Sequence, residues 1–158
     1  MIELPGGVTS EHIHQSNLIE NINDPEADTD SRLAWTWLVD QDVLNPLTIQ
    51  ILHWLITLNQ LPSEYAGRFR EVNVMVGRYH CPNWRLVPER MGEWLHAMNR
   101  EPSQDPKEMH VRFEKIHPFI DGNGRTGRML MWRHQMMLDV TPTLLRADEK
   151  DRYYQWFK

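Results

Sequence analysis

The stretch HPFIDGNGRTGR, His117 to Arg128, decides how this chain is read. It gathers a histidine, an aspartate, an asparagine, three glycines and two arginines into one short run. Gly122, Gly124 and Gly127 match the G-x-G-x-x-G spacing of dinucleotide-binding folds. That fingerprint requires a strand before the glycines and a helix after them, inside a βαβ unit. The preceding residues, HVRFEKIHPFID, read as helix and then loop, and no parallel-strand pattern occurs elsewhere. A P-loop also fails, because Arg128-Met129 stands where Lys-Ser/Thr is required.

The physical content of the run points elsewhere. Pro118 stops the preceding helix, and Gly122 and Gly124 make a loop. From Arg125 the sequence RTGRMLMWRHQMML is helical and apolar almost all round, so that helix is expected to be central. The loop then caps a buried helix N-terminus, where free main-chain N–H groups bind phosphate. Arg125 and Arg128, three apart, are expected to reach the same polyphosphate. Asp121 inside an anion-seeking loop suggests a metal ion, Mg²⁺ shared with phosphates. His117, titrating near neutrality, can take a proton from an attacking hydroxyl.

The totals agree with a small-polyanion site. The 158 residues suggest one domain with one core, 41% of them apolar. The net charge of −5 argues against a general nucleic-acid binder. From His110 to His134 the balance is locally basic, with Arg112, Lys115, Arg125, Arg128 and Arg133 against Glu114 and Asp121. No uninterrupted apolar run is long enough to span a membrane, and MIELPGGVTSEH does not read as a secretory signal. Cys81 is the lone cysteine, so no internal disulfide forms, and a reducing cytoplasm is expected. The histidines show no H-E-x-x-H, which argues against zinc.

Most of the chain reads as helix. The spacing predicts helices from Thr9 to about Ile22, from Pro25 to Val39, and from Asn45-Pro46 to Pro62. Others follow over Pro88–Asn99, from a capping box at Asp105-Pro106-Glu108 to Ile116, and over Ala147–Phe157. Val72, Val74 and Val76 alternate, Gly77–Asn83 is turn-like, and Trp84–Val87 reads as a returning strand. Together these predict a β-hairpin with an open edge for a partner strand.

The run resembles the signature of the Fic family, His-x-Phe-x-Asp/Glu-Gly-Asn-Gly-Arg-x-x-Arg. His117, Phe119, Asp121, Gly122, Asn123, Gly124, Arg125 and Arg128 fill every specified position. The likeness extends over roughly residues 45–157, including GRFREVNVMVGRYHCPNWRLVPERM, similar to the family's flap region. It implies an all-α Fic fold, a helical bundle with a small β-hairpin flap. It also implies transfer of AMP from ATP, with Mg²⁺, to a Tyr, Thr or Ser hydroxyl of a target protein. On that resemblance His117 is the general base, Phe119 anchors the loop and Asp121 holds Mg²⁺. Gly122, Asn123 and Gly124 form the anion hole. Arg125 and Arg128 bind the polyphosphate, Arg128 toward the γ-phosphate. The hairpin edge, Val72, Asn73, Val74, Met75 and Val76, aligns the target protein. The family's phosphorylating branch has Lys where this chain has Gly124, so glycine favours AMP transfer. Neither nucleic acid nor membrane is expected as a partner, and homo-oligomers are compatible with the family.

SNLIEN, Ser16 to Asn21, resembles the family's inhibitory pattern Ser/Thr-x-x-x-Glu-Gly/Asn. The resemblance divides the chain into an inhibitory helix segment, residues 1–24, and a Fic core, residues 25–158. It pairs Glu20 with Arg128 in the place of the γ-phosphate. Two other readings use the same site: a hydrolase that removes AMP from a modified protein, and a catalytically silent nucleotide-binding regulator.

Overall fold

The computed structural model describes residues 1–100 and 104–158. It is all-α apart from one small hairpin, as the sequence predicts. The helices are α1 (Ser10–Ile19), α2 (Pro25–Val39), α3 (Pro46–Thr57), α4 (Val87–Arg100), α5 (Pro106–Ile116), α6 (Asn123–Met137) and α7 (Lys150–Tyr154). β1 (Met75–Val76) and β2 (Tyr79–His80) lie between α3 and α4. Local chemistry sets most starts. Asn45 accepts from the Thr48 N–H at 3.0 Å, Asp24 from Glu26 at 3.0 Å, and Pro occupies the first turn of both helices. Asp105 caps α5 through the Lys107 N–H at 3.2 Å, so the predicted box with Glu108 does not form.

α6 is the axis of the bundle. Its residues from Arg125 to Gln135 are buried all round, against α5, α3, α2 and α1. The core is rich in tryptophan. Trp35 meets Trp132 edge-on at 6.1 Å, and Trp94 meets Phe113 at 5.4 Å. Each buried indole N–H finds a main-chain carbonyl, on Pro5, Met109 and Thr143 respectively for Trp35, Trp94 and Trp132. That pairing lets large aromatic area be buried without stranding a donor. Val8 and Ile13, beside and on α1, belong to this same core.

Several elements differ from the sequence expectation: α3 stops at Thr57 rather than Pro62, and Ala147–Phe157 divides into the short α7 between two 3₁₀ turns. α6 begins at Asn123, two residues before Arg125, because Gly122 takes the left-handed conformation (φ 76°) and caps it. The returning strand is Tyr79–His80, paired with Met75–Val76 across a Gly77-Arg78 turn, not Trp84–Val87. Trp84–Leu86 is a 3₁₀ turn instead, because the Asn83 side chain caps the Arg85 N–H at 3.0 Å and feeds the chain straight into α4. A Cys81 N–H to Val74 carbonyl bond of 3.2 Å adds one more rung to the hairpin.

Candidate active site

The motif residues form a short turn clamped from several sides. His117 follows α5 in the left-handed conformation (φ 50°, ψ 63°), which reverses the chain. Phe119 enters the core fully buried and stacks on His53, with ring centroids 3.7 Å apart. Burying such a ring is worth roughly 1.5–3 kcal/mol. The Asn123 side chain staples the turn, donating to the Phe119 carbonyl and accepting the Phe119 N–H, both at 2.9 Å. Gly122 is required by its positive φ and by crowding. A Cβ there would sit 2.8 Å from Thr57 Cγ2.

Sequence spacing does not single out His53, which the fold buries on α3 beside Leu52 and Ile56. Its Nδ1 accepts the Gly67 N–H at 2.8 Å, so Nε2 carries the proton and donates to the Asp121 carbonyl at 2.8 Å. Burial pushes its pKa down to about 4. It is a neutral strut that fixes the turn just before Gly122.

The turn forms one side of a cavity of about 790 Å³. Glu114 lines it from α5, His117 from the turn after α5, residues 76–79 from the hairpin, and Tyr154 and Phe157 from the chain's last turns. The first N–H groups of α6 have no side-chain cap and lie at this side. Asp121 also lines the cavity. One of its oxygens accepts the Gly122 N–H at 2.7 Å. Among the described residues no group of three His, Cys, Asp or Glu side chains is arranged to hold a metal. A lone carboxylate suits a cation such as Mg²⁺, which takes most of its ligands from water and phosphate.

Arg128 is fully buried, and all three of its nitrogens are engaged. Nε donates to Ser16 Oγ at 2.8 Å, Nη2 to the Ser16 carbonyl at 2.9 Å and to Glu20 Oε1 at 2.7 Å, and Nη1 to Tyr153 Oη at 3.3 Å. Burial opposes the charge, but Tyr153, Glu20 and Glu114 outweigh it and keep the guanidinium protonated. Glu20 reaches over Gly124, whose missing Cβ leaves the room. A methyl there would run into Glu20 Oε1. Asn21 shows why this pattern ends in Gly or Asn. It takes φ 60° and closes α1 in a Schellman turn, with Ile22 N–H on the Asn17 carbonyl and Asn21 N–H on the Leu18 carbonyl. That turn holds Glu20 at the helix end, facing Arg128.

Arg125 is placed differently from Arg128. It is buried, and its Nη1 donates to Gln60 Oε1 at 2.6 Å, toward the end of α3. Tyr153 is also committed, its hydroxyl shared between Arg128 and His110 Nε2 at 2.8 Å. Of the flap residues, Val72, Asn73, Met75 and Val76 are exposed, Val74 is half-buried, and Val76 lines the cavity.

Glu114 is the second residue that sequence reading passed over, as an ordinary helix charge. Its side chain is only 13% accessible, and Oε2 lies 3.8 Å from His117 Nδ1. Glu114 Oε1, His117 Nδ1 and His110 Nδ1 are all buried without a hydrogen-bond partner. Burial, together with the nearby Glu20 charge, pushes the Glu114 carboxyl up to about 8 against the pull of Arg128. Burial lowers His117, opposed by the adjacent Glu114 carbonyl, and lowers His110 to about 3.

The signs give a pH prediction. Between its ordinary 4.5 and about 8, Glu114 holds a proton in the folded chain that the unfolded chain has lost, so it makes stability fall as pH rises. His12, His53, His110 and His117, all lowered, contribute the opposite slope, which fades as pH rises through their ordinary 6.5. Only from about pH 7.5 to 8 does the Glu114 slope therefore prevail, at most about 1.4 kcal/mol per pH unit. Urea denaturation across that range is expected to show it, and Glu114→Gln to flatten it.

Comparison with known proteins agrees with this architecture. The profile of the Fic/DOC family matches residues 43–134, and the chain belongs to that family. The match begins after α2, so the Glu20 helix lies outside it. Protein adenylyltransferase Fic from Drosophila ananassae is 34% identical over 99 residues, covering 59% of this chain and 20% of the relative. The chain thus spans about a fifth of the length of the curated relatives it matches. A Fic domain containing signaling protein from Bacteroides thetaiotaomicron superposes with a TM-score of 0.74 at 19% identity, over 92% of this chain and 69% of the other. Fic-1 from C. elegans gives 0.72 at 20% identity, over 92% and 53%. At such identities these two likenesses speak for the fold.

Proposed function

We propose that this chain transfers AMP from ATP to a hydroxyl of a protein, and that Glu20 holds the site closed. The observation that carries the reading is the single cavity in which the α6 N-terminus, His117 and the Glu20 carboxylate on Arg128 face one another. The adenylyltransferase name of its relatives supports the same chemistry. In the open state the α6 N–H groups and Arg128 hold the triphosphate, and Arg125 adds positive charge at the same helix end. His117 takes the proton of the incoming hydroxyl, whose oxygen bonds to the α-phosphorus as the bond to the pyrophosphate oxygen breaks. Asp121 would hold Mg²⁺, which would supply positive charge for the phosphates. The free edge of β1, with Val72, Asn73, Val74, Met75 and Val76, would align the target segment by strand addition.

ATP labelled at the α-phosphate is the test, using the Glu20→Gly variant. Label is expected to enter protein from the α position and not from the γ position. Equal incorporation from γ would mean phosphoryl transfer and would overturn the reading of Gly124. Glu20 also lines the cavity, which favours one alternative, a hydrolase in which Glu20 positions water to release AMP. In that case Glu20→Gly abolishes AMP release from a modified protein.

A further inference from the structure

Arg70 is almost fully buried, at 2% exposure, and no carboxylate among the described residues pairs with it. A buried cation without a counter-charge is costly unless its donors are all used. Here they are spent on main-chain carbonyls from three segments. Nε donates to His117 at 2.8 Å, Nη1 to Val72 at 2.8 Å, and Nη2 to Pro82 at 2.7 Å and to Ile116 at 3.3 Å. The Arg70 N–H adds a bond to the Pro118 carbonyl at 2.9 Å.

The choice of carbonyls is informative. Val72 and Pro82 bracket the hairpin on its two sides. Ile116 and His117 are the last residue of α5 and the residue that reverses the chain. Carbonyls at a helix C-terminus lack intrahelical partners and favour a cation. One planar guanidinium therefore spans both legs of the hairpin and the peptide that aims His117. A left-handed conformation at a non-glycine residue needs such external support.

We propose that Arg70 is a positioning residue that sets the hairpin over His117, so that a segment docked on the hairpin presents its hydroxyl to the imidazole. This rests on the AMP-transfer reading for its purpose, but its geometry can be tested separately. Lysine is the informative substitution. It keeps the charge and the stem, but a single ammonium cannot span carbonyls from three segments as the guanidinium fork does.

In Arg70→Lys, hydrogen exchange is expected to quicken about tenfold or more at the hairpin amides and at His117, with α6 amides within about twofold of the native chain. Uniform quickening, α6 included, would mean a general structural role and would overturn the proposal, as would unchanged hairpin exchange. The kinetic arm uses the Glu20→Gly background, α-labelled ATP, and a second copy carrying His117→Asn as acceptor. KM for the acceptor is expected to rise about tenfold while KM for ATP stays within about twofold. Unchanged acceptor KM overturns the proposal. No labelled product even with Arg70 intact would count against AMP transfer to this acceptor and leave the exchange result to decide. If Arg70→Lys does not fold, the native chain still decides. The Arg70 Nε–H is expected to be as protected from exchange as the Cys81 N–H of the hairpin, and free exchange of that proton overturns the proposal.

Discussion

Replacing Glu20 with glycine is expected to raise AMP transfer from ATP by about 10²-fold, measured as α-label incorporated into the chain itself or into added protein. The expectation follows from the Arg128 contacts. Among the described residues Glu20 is the one carboxylate bonded to Arg128, a guanidinium otherwise sealed by Ser16 and Tyr153. Opening such a partly desolvated pair costs a few kcal/mol, and each 1.4 kcal/mol is about tenfold in an equilibrium. Glycine removes that cost and leaves a buried cation in search of an anion. The variant is also expected to fold. Glu20 is the C-cap of α1, and the Schellman turn after it is closed by main-chain bonds of Asn21 and Ile22.

Replacing His117 in that background is expected to lower the transfer rate by about 10²–10⁴-fold, the usual worth of a general base. Affinity for ATP should change by no more than about twofold, because the proposed phosphate cradle is the start of α6 and not the imidazole. The backbone at His117 imposes a choice of substitution. Its φ of 50° is strained for alanine, whereas asparagine tolerates that region, so His117→Asn separates lost chemistry from lost conformation. The pH profile carries a sign. Burial holds the His117 pKa below its ordinary 6.5, so the imidazole is unprotonated at neutral pH. The rate is expected to rise with pH, reach its plateau below pH 7, and lose that dependence in His117→Asn.

The parts of the site that were legible in the sequence are those written contiguously. The turn from His117 to Arg128 carries its own glycines, its own helix start and its own charges, and it folds largely as those residues dictate. The Glu20 pattern was legible for a similar reason: Ser16, Glu20 and Asn21 are a helix face and its left-handed stop. His53, Glu114 and Arg70 were not legible because each acts across the fold on a segment distant in sequence. In the sequence none of the three stands in a motif or at a spacing that points to its partner. The hairpin's second strand lies earlier than the sequence suggests, because Gly77–Asn83 reads as one long turn and hides the pairing of Tyr79–His80. A two-residue turn closed the pairing early, and the Asn83 cap diverted the following residues into α4. Arg125 was expected beside Arg128. Three residues on a helix is a turn of about 300°, enough for Gln60 to draw Arg125 toward α3.

The most direct measurement is a crystal structure of Glu20→Gly with ATP and Mg²⁺. The account predicts the γ-phosphate on Arg128 Nη2 where Glu20 Oε1 now sits, the phosphates against the main chain of Gly122–Gly124, and the α-phosphate facing the His117 ring. A triphosphate bound away from the α6 N-terminus, or an α-phosphate on the side remote from His117, would contradict it.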